Sequence, residues 1–271
     1  MTALQDKVAI VSGAGRGTGR ALALKLAAAG ARVVVNDVSE APAAEVVQAI
    51  RDAGGDAALC VGDITAGDFG DRFVAKALET FGGLDIVINN ASYVWPAMID
   101  DMTDEQFIAM VDVNMTAPFR ILRAAGRFFK SEVARAAPYQ RKVVNVSSVL
   151  AVSGGPTVVN YGAAKAGLNG ITYALAREWG PLRINVNGVG LGLIDTRLGT
   201  LGNANSALIA IGDRKIKFAI PQERQQNYIQ RTALGRSGTP EEAAGAIYLL
   251  CLPEADYITG EVILVSGGQL R

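Results

Sequence analysis

The sequence predicts a doubly wound α/β fold, a parallel sheet of about seven strands with helices on both faces. Three observations carry this. Short continuous apolar runs recur along the chain, Ala-rich helical stretches separate them, and a glycine-rich turn joins the first run to the first helical stretch.

Val8 to Val11 is the first run, bounded by Lys7 and Ser12. Val33–Val35, Ala57–Val61, Leu84–Ile88, Val143–Val146, Ile184–Val189 and Val262–Val265 follow. Unbroken apolar runs of this length suit strands buried on both faces of a parallel sheet. The helical stretches between them are Arg20–Ala29, Ala43–Ala53, Phe69–Phe81, Asp104–Phe129, Tyr161–Glu178 and Pro240–Leu252. No low-complexity linker divides the chain, so residues 1–271 read as a single domain. The alternation fails over Leu193–Leu234, which Gly199, Gly202, Gly212 and Pro221 interrupt. An insertion of that length in a compact domain is expected to be a lid or binding loop.

Half of the 271 residues are apolar, enough for a sizeable core, and 26 basic side chains balance 26 acidic ones. That balance argues against a nucleic-acid or anionic-membrane surface, which needs a clustered positive field. No apolar run approaches the ~20 residues of a membrane span. The N-terminus lacks the pattern of a signal peptide. Cys60 and Cys251 show neither metal-like nor disulfide-like spacing. The expectation is a reduced, cytoplasmic, soluble protein without a metal. The chain contains no histidine. That excludes a Ser-His-Asp hydrolase, a His-ligated zinc site and a histidine base, leaving proton transfer to Tyr, Lys or a carboxylate.

The turn reads Ser12-Gly13-Ala14-Gly15-Arg16-Gly17-Thr18-Gly19. Glycine permits positive φ there and lets backbone approach a pyrophosphate, while the helix that follows offers free N–H groups and a positive dipole end. The second strand ends at Asn36-Asp37, about 20 residues on, where a carboxylate bonds ribose hydroxyls. Asp37 repels a 2′-phosphate and favours NAD. Arg16 pulls toward NADP, since a guanidinium pairs with that phosphate. Tyr161 and Lys165, at i and i+4, share one helix face. A phenol titrates near pH ~10, and a neighbouring ammonium favours its anion. Tyr161 is therefore the candidate general acid/base and Lys165 the group that tunes it.

These residues, in this order, resemble the short-chain dehydrogenase/reductase family over almost the whole length. Asp63-Ile64 after the third strand, Asn89-Asn90-Ala91 after the fourth, Asn114, Ser147-Ser148 and Tyr161-Gly162-Ala163-Ala164-Lys165 all match its motifs. So do Gly192-Leu193-Ile194-Asp195-Thr196, Gly235-Arg236, Pro240-Glu241-Glu242 and Ile258-Thr259-Gly260. The resemblance implies a Rossmann-like fold and catalysis by Asn114, Ser148, Tyr161 and Lys165. Ser148 would orient the substrate oxygen, Lys165 would bond the nicotinamide ribose, and Asn114 would hold a water linking Lys165 to solvent. It implies cofactor contacts by Gly13, Arg16, Gly17, Thr18, Gly19, Asp37, Asp63, Ile64, Asn90, Gly192, Ile194 and Thr196, besides Tyr161 and Lys165, with Asn89-Asn90 supporting the backbone. The chain departs from the pattern at Ser12 (usually Thr), Ser92 (usually Gly), Leu191-Gly192 (usually Pro-Gly) and Ser266 (often acidic).

The expected activity is interconversion of a hydrophobic secondary alcohol and its ketone by hydride transfer, with NAD favoured and NADP possible. The apolar pocket would come from Tyr93-Val94-Trp95, Leu150-Ala151-Val152-Ser153 and the lid's Leu198, Leu201, Leu208, Ile209, Ile211, Phe218 and Ile220. Arg197, Arg214, Lys215 and Lys217 would face solvent or an anionic carrier. The alternatives are an NADP-dependent 3-oxoacyl thioester reductase and a catalytically silent dinucleotide-binding regulator. An enoyl reductase is disfavoured because that branch spaces Tyr and Lys more widely. The family implies a homotetramer formed through the long fourth and fifth helices.

Overall fold

The computed structural model describes residues 2–131, 134, 136–196, 208–211, 214–217 and 222–269, with backbone alone for 208–211, 214–217, 222 and 224. Seven parallel strands form one sheet in the order β3-β2-β1-β4-β5-β6-β9. They are β1 Val8–Val11, β2 Arg32–Asp37, β3 Ala57–Val61, β4 Ile86–Asn89, β5 Arg141–Ser148, β6 Ile184–Leu191 and β9 Val262–Val265. Strand order reverses between β1 and β4, so a crevice opens there at the carboxyl ends of the strands.

The continuous apolar runs follow from covering on both faces. Val8 and Ile10 pack into one core with Phe69, Phe73, Ile121 and Trp179. Ala9 and Val11, pointing the other way, pack with Leu22, Leu26, Val46 and Ile247. Alternate side chains therefore enter different cores, and each loses exposed apolar surface worth roughly 1.5–3 kcal/mol per full-sized aliphatic group.

The helices α3 (Phe69–Phe81), α5 (Ala117–Phe129) and α7 (Val159–Trp179) cover the first face. The helices α1 (Gly17–Ala28), α2 (Glu40–Asp52) and α9 (Pro240–Leu249) cover the second. The first helix begins inside the glycine turn, at Gly17, rather than at Arg20. Thr239 and Glu242 form a reciprocal capping box with Pro240 in the first turn, which fixes where α9 starts.

The expected single helix Asp104–Phe129 is three segments. α4 (Asp104–Val111) passes into a π-helical stretch, Asp112–Thr116, before α5 resumes. Pro118 near the start of α5 lacks the N–H that an unbroken α-helical ladder would need there. The irregular segment after β6 contains an antiparallel hairpin, β7 (Leu208–Ile211) with β8 (Arg214–Lys217), and a helix α8 (Gln222–Gln230). A single helical turn α6 (Leu150–Ser153) follows β5. None of these three was expected from the sequence.

Candidate active site

The glycine turn after β1 is clamped to the end of β4. Ser12 Oγ accepts from the amides of Asn90 and Ala91 at 3.0 and 3.1 Å, and Asn90 Nδ2 donates to the carbonyls of Ser12 and Gly13. Serine thus supplies the hydroxyl where the family usually has threonine. Gly13 has φ +62°, and a Cβ on it would stand 2.7 Å from Ala91 Cα. A Cβ on Gly19 would stand 2.2 Å from the Gly13 carbonyl oxygen. The turn therefore requires glycine at both places, and its backbone is left open to a ligand. Arg16 is the N-cap of α1 and makes no side-chain cap, so the helix's first N–H groups are not taken by a capping side chain.

Asp37, at the end of β2, accepts from Gly15 N at 3.1 Å with one oxygen and from Ser39 N at 3.0 Å with the other. Its neighbour Asn36 was missed in the sequence. Asn36 Oδ1 accepts from Gly13 N, and its Nδ2 donates to the carbonyls of Cys60 and Gly62, which ties the turn to β2 and β3. Asp63 folds back on Thr65, accepting from its amide and hydroxyl.

Lys165 is buried on α7, and its ammonium donates to the Val146 carbonyl on β5 at 2.7 Å. The same nitrogen lies 5.7 Å from the Tyr161 ring centroid. Ser147 Oγ donates to the Lys165 carbonyl at 3.5 Å, whereas Ser148 Oγ accepts from Leu150 N at 3.2 Å, and both serines line the cavity that Tyr161 lines. Asn160 was not foreseen. It accepts from Tyr161 N and donates to the carbonyls of Trp95 and Gln106, which fixes the start of α7 against the segment after β4.

Electrostatics at the pair differ from the expectation. Burial is the main influence on Tyr161 and pushes its phenol upward, opposed by hydrogen bonds from Ser148 and Ser92. Burial lowers Lys165 to about 7. Acidification of the phenol by the neighbouring ammonium is thus not what the protein's own groups produce, because the low-dielectric setting penalises both charged forms.

Asn114 is fully buried in the π-helical stretch. Its amide nitrogen donates to the carbonyls of Tyr93 and Met110, and its oxygen accepts from Ser92 Oγ at 2.6 Å. Ser92, which the sequence flagged as a departure without giving it a role, thus supplies the hydroxyl on Asn114 Oδ1.

One cavity of about 470 Å³ joins these parts. Gly13, Arg16, Gly17, Thr18, Gly19, Asp37, Asp63, Ile64, Asn90, Gly192, Ile194 and Thr196 line it together with Ser148, Tyr161 and Lys165. Asn114 is set behind Ser92, outside the lining. Of the expected substrate groups, Tyr93, Val94 and Leu150 reach the cavity. Trp95 packs against the core instead, Val152 and Ser153 are exposed, and Ala151 is not among the lining residues. Pro96, Val149, Thr157, Val158, Tyr228 and Gln269 line it without having been anticipated. Leu198, Leu201, Phe218, Ile220 and Arg197 lie outside the described residues, as do the side chains of Leu208, Ile209, Ile211, Arg214, Lys215 and Lys217. Among the described residues no cluster of acidic or cysteine side chains forms a metal site, and no helix is long and apolar enough to cross a membrane.

A family model described as enoyl-(acyl carrier protein) reductase matches residues 13–269. A 3-oxoacyl-[acyl-carrier-protein] reductase from Synechocystis is 34% identical over 100% of this chain and 99% of its own. One from Vibrio cholerae is 32% identical, covering 98% of both chains. Among solved structures, a dehydrogenase/reductase from Sinorhizobium meliloti superposes with a TM-score of 0.84 at 31% identity, covering 99% of this chain and 97% of the other. With the sheet order, the clamped glycine turn and the Ser148, Tyr161 and Lys165 constellation, these likenesses identify the chain as an oxidoreductase of the short-chain dehydrogenase/reductase family.

Proposed function

We propose that the protein is an NAD-linked short-chain dehydrogenase that interconverts a hydrophobic secondary alcohol and its ketone. The observation that carries the nucleotide preference is Asp37. Its carboxylate is pinned by Gly15 N and Ser39 N at the rim of the turn. A 2′-phosphate there would face a fixed negative charge, whereas ribose hydroxyls find acceptors. The turn fits a dinucleotide, since its glycines clear the backbone and the first amides of α1 carry no side-chain cap. Gly13, Gly17, Thr18 and Gly19 would hold the pyrophosphate, Asp63 and Ile64 the adenine, and Asn90, Gly192, Ile194 and Thr196 the nicotinamide half. When bound, the nicotinamide supplies or accepts the hydride.

The chain's own groups handle the proton. Tyr161 gives its phenolic proton to the carbonyl oxygen during reduction and takes the hydroxyl proton during oxidation. Ser148, lining the same cavity as that phenol, holds the same substrate oxygen. Lys165, held by Val146, presents its amine beside the phenol and toward the ribose. Asn114 fixes the segment that carries Tyr93 and Ser92. Val94, Pro96, Val149, Leu150 and Val158 make the substrate end mainly apolar, which suits a hydrophobic ketone. The reading includes one catalytic domain with 193–234 as its lid, a cytoplasmic location and a homotetramer. Exposed Phe107, Ile108, Phe119, Val159 and Tyr173 on α4, α5 and α7 are apolar surface available to such an assembly.

A second reading, an NADP-dependent 3-oxoacyl thioester reductase, is favoured by the names of the two relatives and by Arg16, exposed at the turn. Initial rates decide between them. Secondary alcohols and ketones are compared with a short 3-oxoacyl thioester, each with NAD(H) and NADP(H). NAD(H)-dependent turnover of alcohols supports the first reading, and NADPH-dependent turnover of the thioester alone replaces it. Tyr161→Phe is expected to bind nucleotide normally and to lose turnover by roughly 10²–10⁴-fold. Retained turnover would remove the assigned acid/base.

A further inference from the structure

We propose that Gln269, in the tail after β9, is a specificity-determining residue whose carboxamide hydrogen-bonds a second, uncharged oxygen of the substrate beside the reacting one. The inference rests on the oxidoreductase reading above and names the substrate feature that the site selects, whichever nucleotide serves it.

Two glycines turn the chain into the cavity. β9 ends at Val265, and Gly267 and Gly268 follow with φ +61° and +75°. Both values lie in the left-handed region, which glycine enters without steric cost. The tail is then fixed on two sides. Leu234 N and Ala233 N donate to the carbonyls of Gly267 and Gly268, Thr232 bridges to Gln269, and Gln269 N donates to Ser266 O at 3.2 Å. On the other side Gly192 N donates to the Val265 carbonyl at 3.0 Å. A Cβ on Gly192 would stand 2.8 Å from Ser266 Cα and 3.3 Å from Gln269 Oε1. Glycine at 192 therefore leaves the room in which the carboxamide sits.

Strand register places this carboxamide at the reacting end. Ser148 on β5 pairs with Leu191 on β6, and Gly192 is the next residue. Neighbouring strands ~4.8 Å apart with a rise of ~3.3 Å per residue put the backbones of Ser148 and Gly192 about 6 Å apart. Gln269 thus flanks the oxygen that Ser148 and Tyr161 hold. Asp37 and Asp63 belong to the ends of β2 and β3, on the far side of β1 and β4.

Charge decides the ligand class. Among the described residues that line the cavity, only Arg16, Asp37, Asp63 and Lys165 are charged. Arg16 lies in the phosphate turn, and the Lys165 amine is held by Val146 on β5. None of the four stands on the β6 side, where a substrate carboxylate would need a cation. A carboxamide both donates and accepts, so it serves a neutral carbonyl or hydroxyl. Among the described residues none hydrogen-bonds it. Val149, Leu150 and Val158 keep the rest of this end apolar, so one polar group sets the preference.

The test compares a 3-oxo ester and a 4-oxo ester with simple ketones of the same chain length. It uses the wild type and Gln269→Met, which keeps an unbranched side chain of similar size without the hydrogen bonds. The wild type is expected to prefer one ester over its matched ketone. In Gln269→Met, kcat/KM for that ester is expected to fall roughly threefold to tenfold relative to the ketone, mostly through KM. An unchanged ester-to-ketone ratio overturns the proposal. So does a rise in KM for the nucleotide alone, which would make Gln269 a cofactor contact. If Gln269→Met does not fold, Gln269→Leu takes its place. If the wild type turns over neither esters nor ketones with either nucleotide, the oxidoreductase reading fails, and thermal unfolding still decides the role of Gln269. One ester is then expected to raise the wild-type midpoint more than that of Gln269→Met, and equal shifts overturn the proposal.

Discussion

Lys165 donates to the Val146 carbonyl at 2.7 Å, so the amine that flanks Tyr161 is held by a backbone dipole of β5 and not by a carboxylate. One neutral acceptor does not repay the removal of an ammonium from water. Its folded-state value accordingly falls to about 7 from 10.5. Between those limits the unfolded chain carries a proton that the native protein lacks. Stability therefore rises with pH through this window, by at most about 1.4 kcal/mol per unit. Lys7, half-buried and also lowered, adds in the same sense. Comparison with Lys165→Met isolates the Lys165 part. In urea unfolding, the wild type is expected to gain about 2 kcal/mol more than Lys165→Met between pH 7 and pH 9. Equal gains would mean that Lys165 stays charged in the fold.

Asp37 holds the turn through two backbone amides, and on the proposed reading it also meets the nucleotide's ribose. Asp37→Ala removes acceptors from Gly15 N and Ser39 N and removes the charge that opposes a 2′-phosphate. Charge-assisted bonds of this type are worth ~1.5–3 kcal/mol each. kcat/KM for NAD is expected to fall roughly tenfold to a hundredfold, and that for NADP to hold or rise. Equal losses with both nucleotides would show that the carboxylate only supports the turn.

Two glycines of the turn should fail differently. Gly19→Ala would push a methyl to 2.2 Å from a backbone carbonyl and 2.6 Å from the Asn90 amide that clamps the turn. Both the fold and nucleotide binding are expected to suffer, with stability lower by several kcal/mol, as for other forced overpacking. At Gly17 the new methyl meets the Thr196 side chain at 3.3 Å, and the penalty is mainly the positive φ of +51°. Gly17→Ala is expected to cost about 1–2 kcal/mol and to weaken nucleotide binding through the loop carrying Thr196. Thermal melts with and without NAD separate the two cases.

The strands and the helix faces were legible because each follows from local pattern. Val8–Val11 is apolar throughout since both its faces are buried, and Tyr161 and Lys165 share a face through helical spacing. The break at Asp112–Thr116 was less visible, although Pro118 marked it. Other features depend on contacts between distant segments. Ser92 meets Asn114, 22 residues away, and Gln269 reaches the cavity from the far end of the chain. The direction of the Tyr161 shift depends on burial, which a Tyr-x-x-x-Lys spacing does not encode. The hairpin and α8 lie where glycines and proline mask periodicity, so neither strand nor helix stood out.

Thr157 shows what sequence could not convey and gives the last test. It lines the cavity four residues before Tyr161 with φ +69°, a conformation that a β-branched residue rarely adopts. Its carbonyl accepts from Ala97 N at 2.9 Å, which ties the strained turn to the segment after β4. Left-handed backbone costs a non-glycine residue roughly 1–2 kcal/mol, while glycine costs ~0.5–1 kcal/mol in unfolded-state entropy. Thr157→Gly is thus expected to be neutral or to stabilise by up to about 1 kcal/mol in urea unfolding. If the strain is kept to shape the substrate end of the cavity, KM for the ketone rises severalfold while kcat changes little. A more stable variant with unchanged KM would assign Thr157 to the turn alone, and a destabilised one would mean that the threonine's contacts outweigh the strain.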